Sequence, residues 1–492
     1  MIKNIKWLFL VSLTFVACNN DDEVTTVPNS SDGLPLTAGT ADFTKYVALG
    51  NSLTAGFSDN ALFIEGQKGS YTNILAQQFA QVGGGEFKIP FMNDNVGGLL
   101  FGGMQIQGAR LYFNGTAPVP VTGTPTTEVT TKLTGAFNNL GVPGAKSYHL
   151  LAAGYGNPAG VPLGQANPYY ARFASSATAK VVDDATAQNP TFFSLWIGNN
   201  DVLGYATSGG TGVNRTGNPN VAAYGANDIT DPTAFAGVYN TLVTNLTANG
   251  AKGVVANIPY VTSVPFFTTV KFNAATLSAA QAAALNSGYA PYNGGLQLAK
   301  NAGLITEQER VERTITFAAG PNALVIVDEY LTNLSGLSLP SYRQATAADY
   351  VLLSSGGVSA QAHLQAGNGT QFPLADKWVL SKGETAEVKT ATDAYNATIS
   401  SIATAKGLAF VDANAALVQV AGAGISNGGF TVTSAFVTGG GFSLDGVHPS
   451  PRGYALIANK FLQAINSKFG SNFKDVNFGN YRILFPANPA NF

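Results

Sequence analysis

The chain has 492 residues, a formal net charge of −2, 45% hydrophobic residues and 11% charged residues. That apolar share supports a sizeable core and excludes wholesale disorder, and the length fits one large domain with insertions or two or more domains. The near-neutral balance, with no basic stripe, excludes an electrostatic footprint for nucleic acid.

The chain opens "MIKNIKWLFLVSLTFVAC", with Lys3 and Lys6 ahead of an apolar run from Trp7 to Ala17. That run is too short to span a bilayer comfortably and predicts a secretory signal. The single cysteine, Cys18, directly follows the small Ala17. This arrangement resembles a bacterial lipoprotein signal, in which the cysteine is lipidated and becomes the mature N-terminus. Residues 1–18 then form the signal and 19–42 a polar linker. The alternative is an ordinary cleaved signal with an incidental cysteine. Either way the mature chain has no free thiol for a disulfide framework or a Cys nucleophile. Asp21, Asp22 and Glu23 form an acidic cluster that looks like a lipoprotein export tag, or else a solvated tether. No later segment is long and apolar enough to span a membrane, so the lipid is the expected sole anchor. The expected location is extracytoplasmic, at the outer membrane, with the cell surface favoured.

The domain proper is expected over 43–470. "YVALG" (Tyr46–Gly50), "TFFSLWIG" (Thr191–Gly198), "KGVVANIP" (Lys252–Pro259) and "GLAFVDA" (Gly407–Ala413) are apolar nearly throughout. Such runs suit parallel strands covered on both faces, and the helical or loop stretches between them give a βαβ pattern. A further, weakly patterned strand is expected just before Gly141. Helices are predicted over 232–250, 384–407 and 451–469, the first two ending at Gly250 and Gly407 and the last starting at Pro451. Two stretches, about 57–137 and 260–382, exceed this frame. Structureless loops of that length are rare, so both are expected to be structured insertions at one edge of the sheet. The tail, 471–492, is expected to pack back on the body.

Four short blocks carry chemistry. "GNSLTAG" places Ser52 in a small-residue turn after the first strand; by itself it reads equally as a helix-capping serine or a nucleophile. "NLGVPG" ends in Gly144, "GNND" contains Asn200, and "SLDGVHPSPRGY" holds Asp445 and His448 just before the last helix. Ester hydrolysis needs a nucleophile, a base, a group that orients the base and donors for the developing oxyanion. These residues supply all four, at strand ends where open α/β sheets place their sites. Each has a plainer reading, as capping, turn or Asx-turn residues. Asp201 is expected to bond nearby backbone, and His149 and His363 to be surface or core histidines, with His149 a possible pocket neighbour.

In block order and residue type the chain resembles the SGNH, or GDSL-type, hydrolase family. The resemblance spans Gly50 to about Gly453 and leaves the insertions unexplained. It implies a three-layer α/β/α sandwich with a mostly parallel, flavodoxin-like sheet. It also implies a catalytic set of Ser52, Asp445 and His448, with an oxyanion hole from Ser52, Gly144 and Asn200. The family most often has Asp where this chain has Asn51, an amide that can hydrogen-bond the turn but carries no charge. No cofactor and no metal are expected, and no metal-ligand or phosphate-loop spacing occurs. The expected activity is hydrolysis of carboxylic esters of an acyl or lipid kind. The alternatives are a carbohydrate acetylesterase acting on acetylated glycans and a non-catalytic surface lipoprotein that only binds. The sequence does not fix the oligomeric state.

Overall fold

The computed structural model describes residues 29–353, 364 and 366–492. The signal, Cys18, the acidic cluster and His363 lie outside them.

A five-stranded parallel sheet organises the chain, with helices packed around it. Strand β1 is Tyr46–Gly50 and is buried throughout. It ends in the short helix α1, Ser52–Ala55, and is followed by α2, Tyr71–Ala80. Strand β2 is Asn139–Gly141 and β3 is Phe192–Trp196, which leads into α3, Asn200–Thr207. Helix α4, Pro232–Thr247, precedes β4, Lys252–Ala256. Helix α5 spans Ala279–Asn301 and α6 spans Lys382–Ala405. Strand β5, Ala409–Val411, helix α7, Ala413–Ala421, and helix α8, Pro451–Phe469, complete the frame. The spatial order is β5-β4-β3-β1-β2. Every pairing in this sheet is parallel, as the continuous apolar runs predict.

Register sets the working edge. Gly50 pairs with Gly141 on one side and with Trp196 on the other, so β1, β2 and β3 end side by side. The approach there is close. A Cβ on Gly141 would lie 2.2 Å from Ala55 N, and one on Gly50 would lie 2.4 Å from the Trp196 carbonyl oxygen. Glycine at both positions lets α1 seat directly on the sheet.

Helices α2 and α8 meet through Tyr71 and Phe461, whose rings lie 4.8 Å apart. Trp196 touches both rings, and Phe192 packs on Phe79 and Phe469. Helices α4 and α6 meet through a Phe235–Tyr395 stack at 4.2 Å. Each such side chain taken fully out of water contributes about 1.5–3 kcal/mol. Helix α2 falls inside the stretch read from sequence as the first insertion, yet Ile74, Leu75 and Phe79 belong to the main core. The added material therefore starts after this helix, with two small hairpins over 99–107 and 111–120.

The first strand spans Tyr46–Gly50 as predicted, and the other three long runs are trimmed at their ends by up to three residues. Trp196 ends β3 because Gly198 adopts φ +118° and α3 follows. The second insertion has its own buried cluster, which includes Tyr292, Leu296, Ile315 and Val325. Within that insertion Arg343 is fully buried, 2.6 Å from Asp328 Oδ2 and 2.6 Å from Asp349 Oδ1. Phe473 and Phe478 of the tail enter the main core. Among the described residues no helix is long and apolar enough to cross a membrane.

Candidate active site

Asn51 caps α1. Its side-chain oxygen accepts from Leu53 N at 3.0 Å, and its amide donates to Asn199 Oδ1 at 3.2 Å. The second bond ties the Ser52 turn to the loop after β3, a use of the amide donor that a carboxylate cannot reproduce in this arrangement. Ser52 is thereby both the first residue of a capped helix and a hydroxyl fixed at the sheet edge, only 7% exposed.

The loop 443–449 reaches this hydroxyl from the far end of the sequence. His448 Nε2 lies 2.8 Å from Ser52 Oγ, and His448 Nδ1 lies 2.8 Å from Asp445 Oδ2. With Nδ1–H donating to the carboxylate, Nε2 presents its lone pair to the serine O–H. Asp445 Oδ1 also accepts from the backbone N–H groups of Val447 and His448, at 2.9 and 2.8 Å. Burial alone would raise the pKa of this carboxyl. The His448 ring and the backbone donors prevail and pull it down to about 2.

A strap of residues just after Ser52 holds that loop in place. The Phe57 ring lies 4.6 Å from the His448 ring. Ser58 Oγ donates to the Pro449 carbonyl at 3.1 Å, and the Asn60 N–H donates to Asp445 Oδ2 at 3.0 Å. The Asp59 N–H donates to Ser443 Oγ, which in turn donates to Asp445 Oδ1. Asp59 Oδ1 accepts from Leu444 N at 2.9 Å. Asp59 and Asn60 both sit at positive φ, 51° and 65°, a conformation these two residue types tolerate better than most. Burial pushes the Asp59 carboxyl up to about 7, with the Leu444 N–H opposing and the Asp445 charge adding. Sequence reasoning passed over this strap. The usable signal was an Asp-Asn pair beside apolar residues, in "GFSDNALF", only a few residues beyond Ser52.

Gly144 lies after β2 with φ +81° and is exposed. Asn200 starts α3, and one N–H of its amide donates to the Ala145 carbonyl at 2.9 Å. The amide's second N–H is left for another acceptor. Ser52, Gly144 and Asn200 thus follow three adjacent strands. Asp201 accepts from the N–H and hydroxyl of Ser147 at 2.8 and 2.7 Å, a structural use. His149 Nδ1 accepts from Lys146 N, and its ring stacks on Tyr155 at 4.5 Å. Burial first, and then the Lys146 charge, lower its pKa to about 4. It packs as a neutral structural ring.

Two cavities adjoin the triad. One, of about 120 Å³, has Ser52, Asn200 and His448 in its wall and is otherwise lined almost wholly by apolar side chains. The other is a wide cleft bordered by His448 and Asp445, by the hairpin around Thr116 and by residues 266–277 of the second insertion. No group of three or more His, Cys, Asp or Glu among the described residues could hold a metal ion.

No family model, curated protein or solved structure matches the chain.

Proposed function

We propose that the chain is a serine ester hydrolase of the SGNH type. The observation that carries this reading is the Ser52–His448–Asp445 relay, with both side-chain contacts at 2.8 Å. In the proposed reaction His448 takes the Ser52 proton as the hydroxyl attacks the ester carbonyl. Asp445 holds the ring tautomer and stabilises the imidazolium. The N–H groups of Ser52 and Gly144 and the Asn200 amide receive the oxyanion. His448 then protonates the leaving alcohol, and water releases the acid by the same steps in reverse. No cofactor enters.

The strand order supports the same family. Numbered along the chain, the sheet runs 2-1-3-4-5, the order of flavodoxin-like doubly wound folds, with the site at the carboxyl edge around the first and third strands. We therefore read the architecture as a three-layer sandwich of that kind. The apolar cavity beside Ser52 favours acyl or lipid esters over acetylated glycans. A merely binding protein has no use for a nucleophile, base, acid and donor set held together. Purified chain lacking residues 1–18 is expected to hydrolyse p-nitrophenyl esters, and Ser52→Ala to abolish turnover while keeping the fold. Retained turnover in the folded variant rejects the assignment.

The anchoring proposal rests on the sequence alone. Lipidation at Cys18 would place the enzyme at the outer membrane, with the surface-facing side favoured. Fractionation of cells carrying Cys18→Ser tests it: the protein leaves the membrane fraction if the anchor is real and stays if it is not.

A further inference from the structure

We infer that the apolar cavity beside Ser52 is an acyl-chain gauge, sized for an acyl group of about six carbons. This rests on the ester-hydrolase reading above and adds the acid component of the substrate.

Three features carry it. First, the wall is continuous with the relay, since Ser52, Asn200 and His448 line the same cavity as Trp196, Leu456 and Val420. A carbonyl held at Ser52 therefore has its acyl substituent facing an apolar space rather than water. Second, the α8 residues in the wall are Gly453, Leu456, Ile457, Lys460 and Phe461. They fall at i, i+3, i+4, i+7 and i+8, one stripe of the helix, which extends along about 12 Å of its axis. Helix α7 supplies the facing wall with Ala413, Ala416, Leu417 and Val420. The result is a slot between two helices, with the Lys460 stem at its far turn. An aliphatic stem covers apolar surface while its charge stays in water. Third, the slot is small. Its volume is about 120 Å³, whereas dry apolar cavities of about 150 Å³ take up a six-carbon ring. A hexanoyl tail of five carbons beyond the carbonyl fits that space, and a dodecanoyl tail exceeds it.

The wide cleft that also borders His448 has no comparable limit, so the alcohol part of the ester has room there. The site is asymmetric, with a gauged acyl side and an open alcohol side.

The test is kcat/KM on p-nitrophenyl acetate, butyrate, hexanoate, octanoate and dodecanoate. Wild type is expected to gain about fourfold per methylene from acetate to hexanoate, the value of one buried CH₂, and to level or fall beyond. Ala416→Trp fills the slot and is expected to bring the hexanoate/acetate ratio close to one. Ile457→Ala enlarges it and is expected to move the maximum to octanoate or longer, so the inference stays testable if the tryptophan variant does not fold. Acetate as the best wild-type substrate, or a chain-length profile unmoved by Ile457→Ala, overturns the gauge while leaving the esterase intact. No turnover of any ester by wild type overturns the esterase reading and the gauge with it.

Discussion

Asn200 shows how much one side chain is asked to do. Its amide is anchored through one N–H on the Ala145 carbonyl at 2.9 Å. In the proposed reaction the anchored group offers its other N–H to charge that develops only in the transition state, without reorganising. Asn200→Ala is therefore expected to cost roughly 10²–10³ in kcat with KM little changed, the usual loss for one oxyanion donor. Steady-state kinetics on one aryl ester checks it. A change confined to KM would mean a ground-state contact. Ser52, Asp445, His448, Gly144 and Asn200 could be named as candidates from the sequence because each stands in a short block with a chemical reason for its residue type. Asp59 and Ser443 were not legible. They hold the Asp445 loop through contacts between residues 384 and 385 positions apart or through one hydroxyl inside the loop, and neither belongs to a periodic pattern. Asn51 was noticed only as a replacement for a carboxylate. Its bond to Asn199 across 148 residues, which gives the amide a use, needed the fold.

At the scale of elements, strands β1, β3, β4 and β5 were readable because both faces are buried and the apolar runs are uninterrupted. Strand β2, Asn139–Gly141, is as short as β5 but reads Asn-Leu-Gly, so no apolar run marks it. Helix α2 was assigned to an insertion because the glycine-rich composition around it masked its apolar face. The second insertion contains a buried ion cluster. Arg343 is held by Asp328 and by both oxygens of Asp349, at 2.6–2.8 Å, with all three groups buried. Removing the cation strands two buried carboxylates, which costs about 3–5 kcal/mol. Arg343→Ala is expected to make residues 266–350 sensitive to limited proteolysis while the sheet strands stay protected. Unchanged cleavage would show that the apolar cluster around Tyr292 and Leu296 suffices alone.

Over the whole molecule, two buried carboxyls with raised pKa values are expected to weaken the fold as pH rises. Burial raises Asp59 to about 7 and Glu384 to about 8, against local N–H donors. Each holds its proton in the folded state at pH values where the unfolded chain has lost it. Their contribution is thus fully present below about pH 4 and is lost as pH rises through 7 and 8, at about 1.4 kcal/mol per unit per group in that window. Asp445 has the opposite sign. Its pKa of about 2 gives stability that is present above about pH 4 and is lost as pH falls toward 2. Thermal unfolding is therefore expected at a higher temperature at pH 5 than at pH 8.5, and Asp59→Asn with Glu384→Gln should narrow that gap. A higher Tm at pH 8.5 would contradict the assignment. The charge composition, with only 11% charged residues, gave no sign of these two groups, because their shifts come first from burial and then from neighbouring carboxylates that only the fold brings close.

The central claim is that Ser52 is a nucleophile activated by His448. The most direct measurement is intact-mass and peptide mapping after treatment with an alkyl fluorophosphonate. A single adduct on Ser52 is expected, formed rapidly in the wild type, slowed by orders of magnitude in His448→Ala and absent in Ser52→Ala. Labelling of another serine, or equal labelling of Ser52 with and without His448, would contradict it.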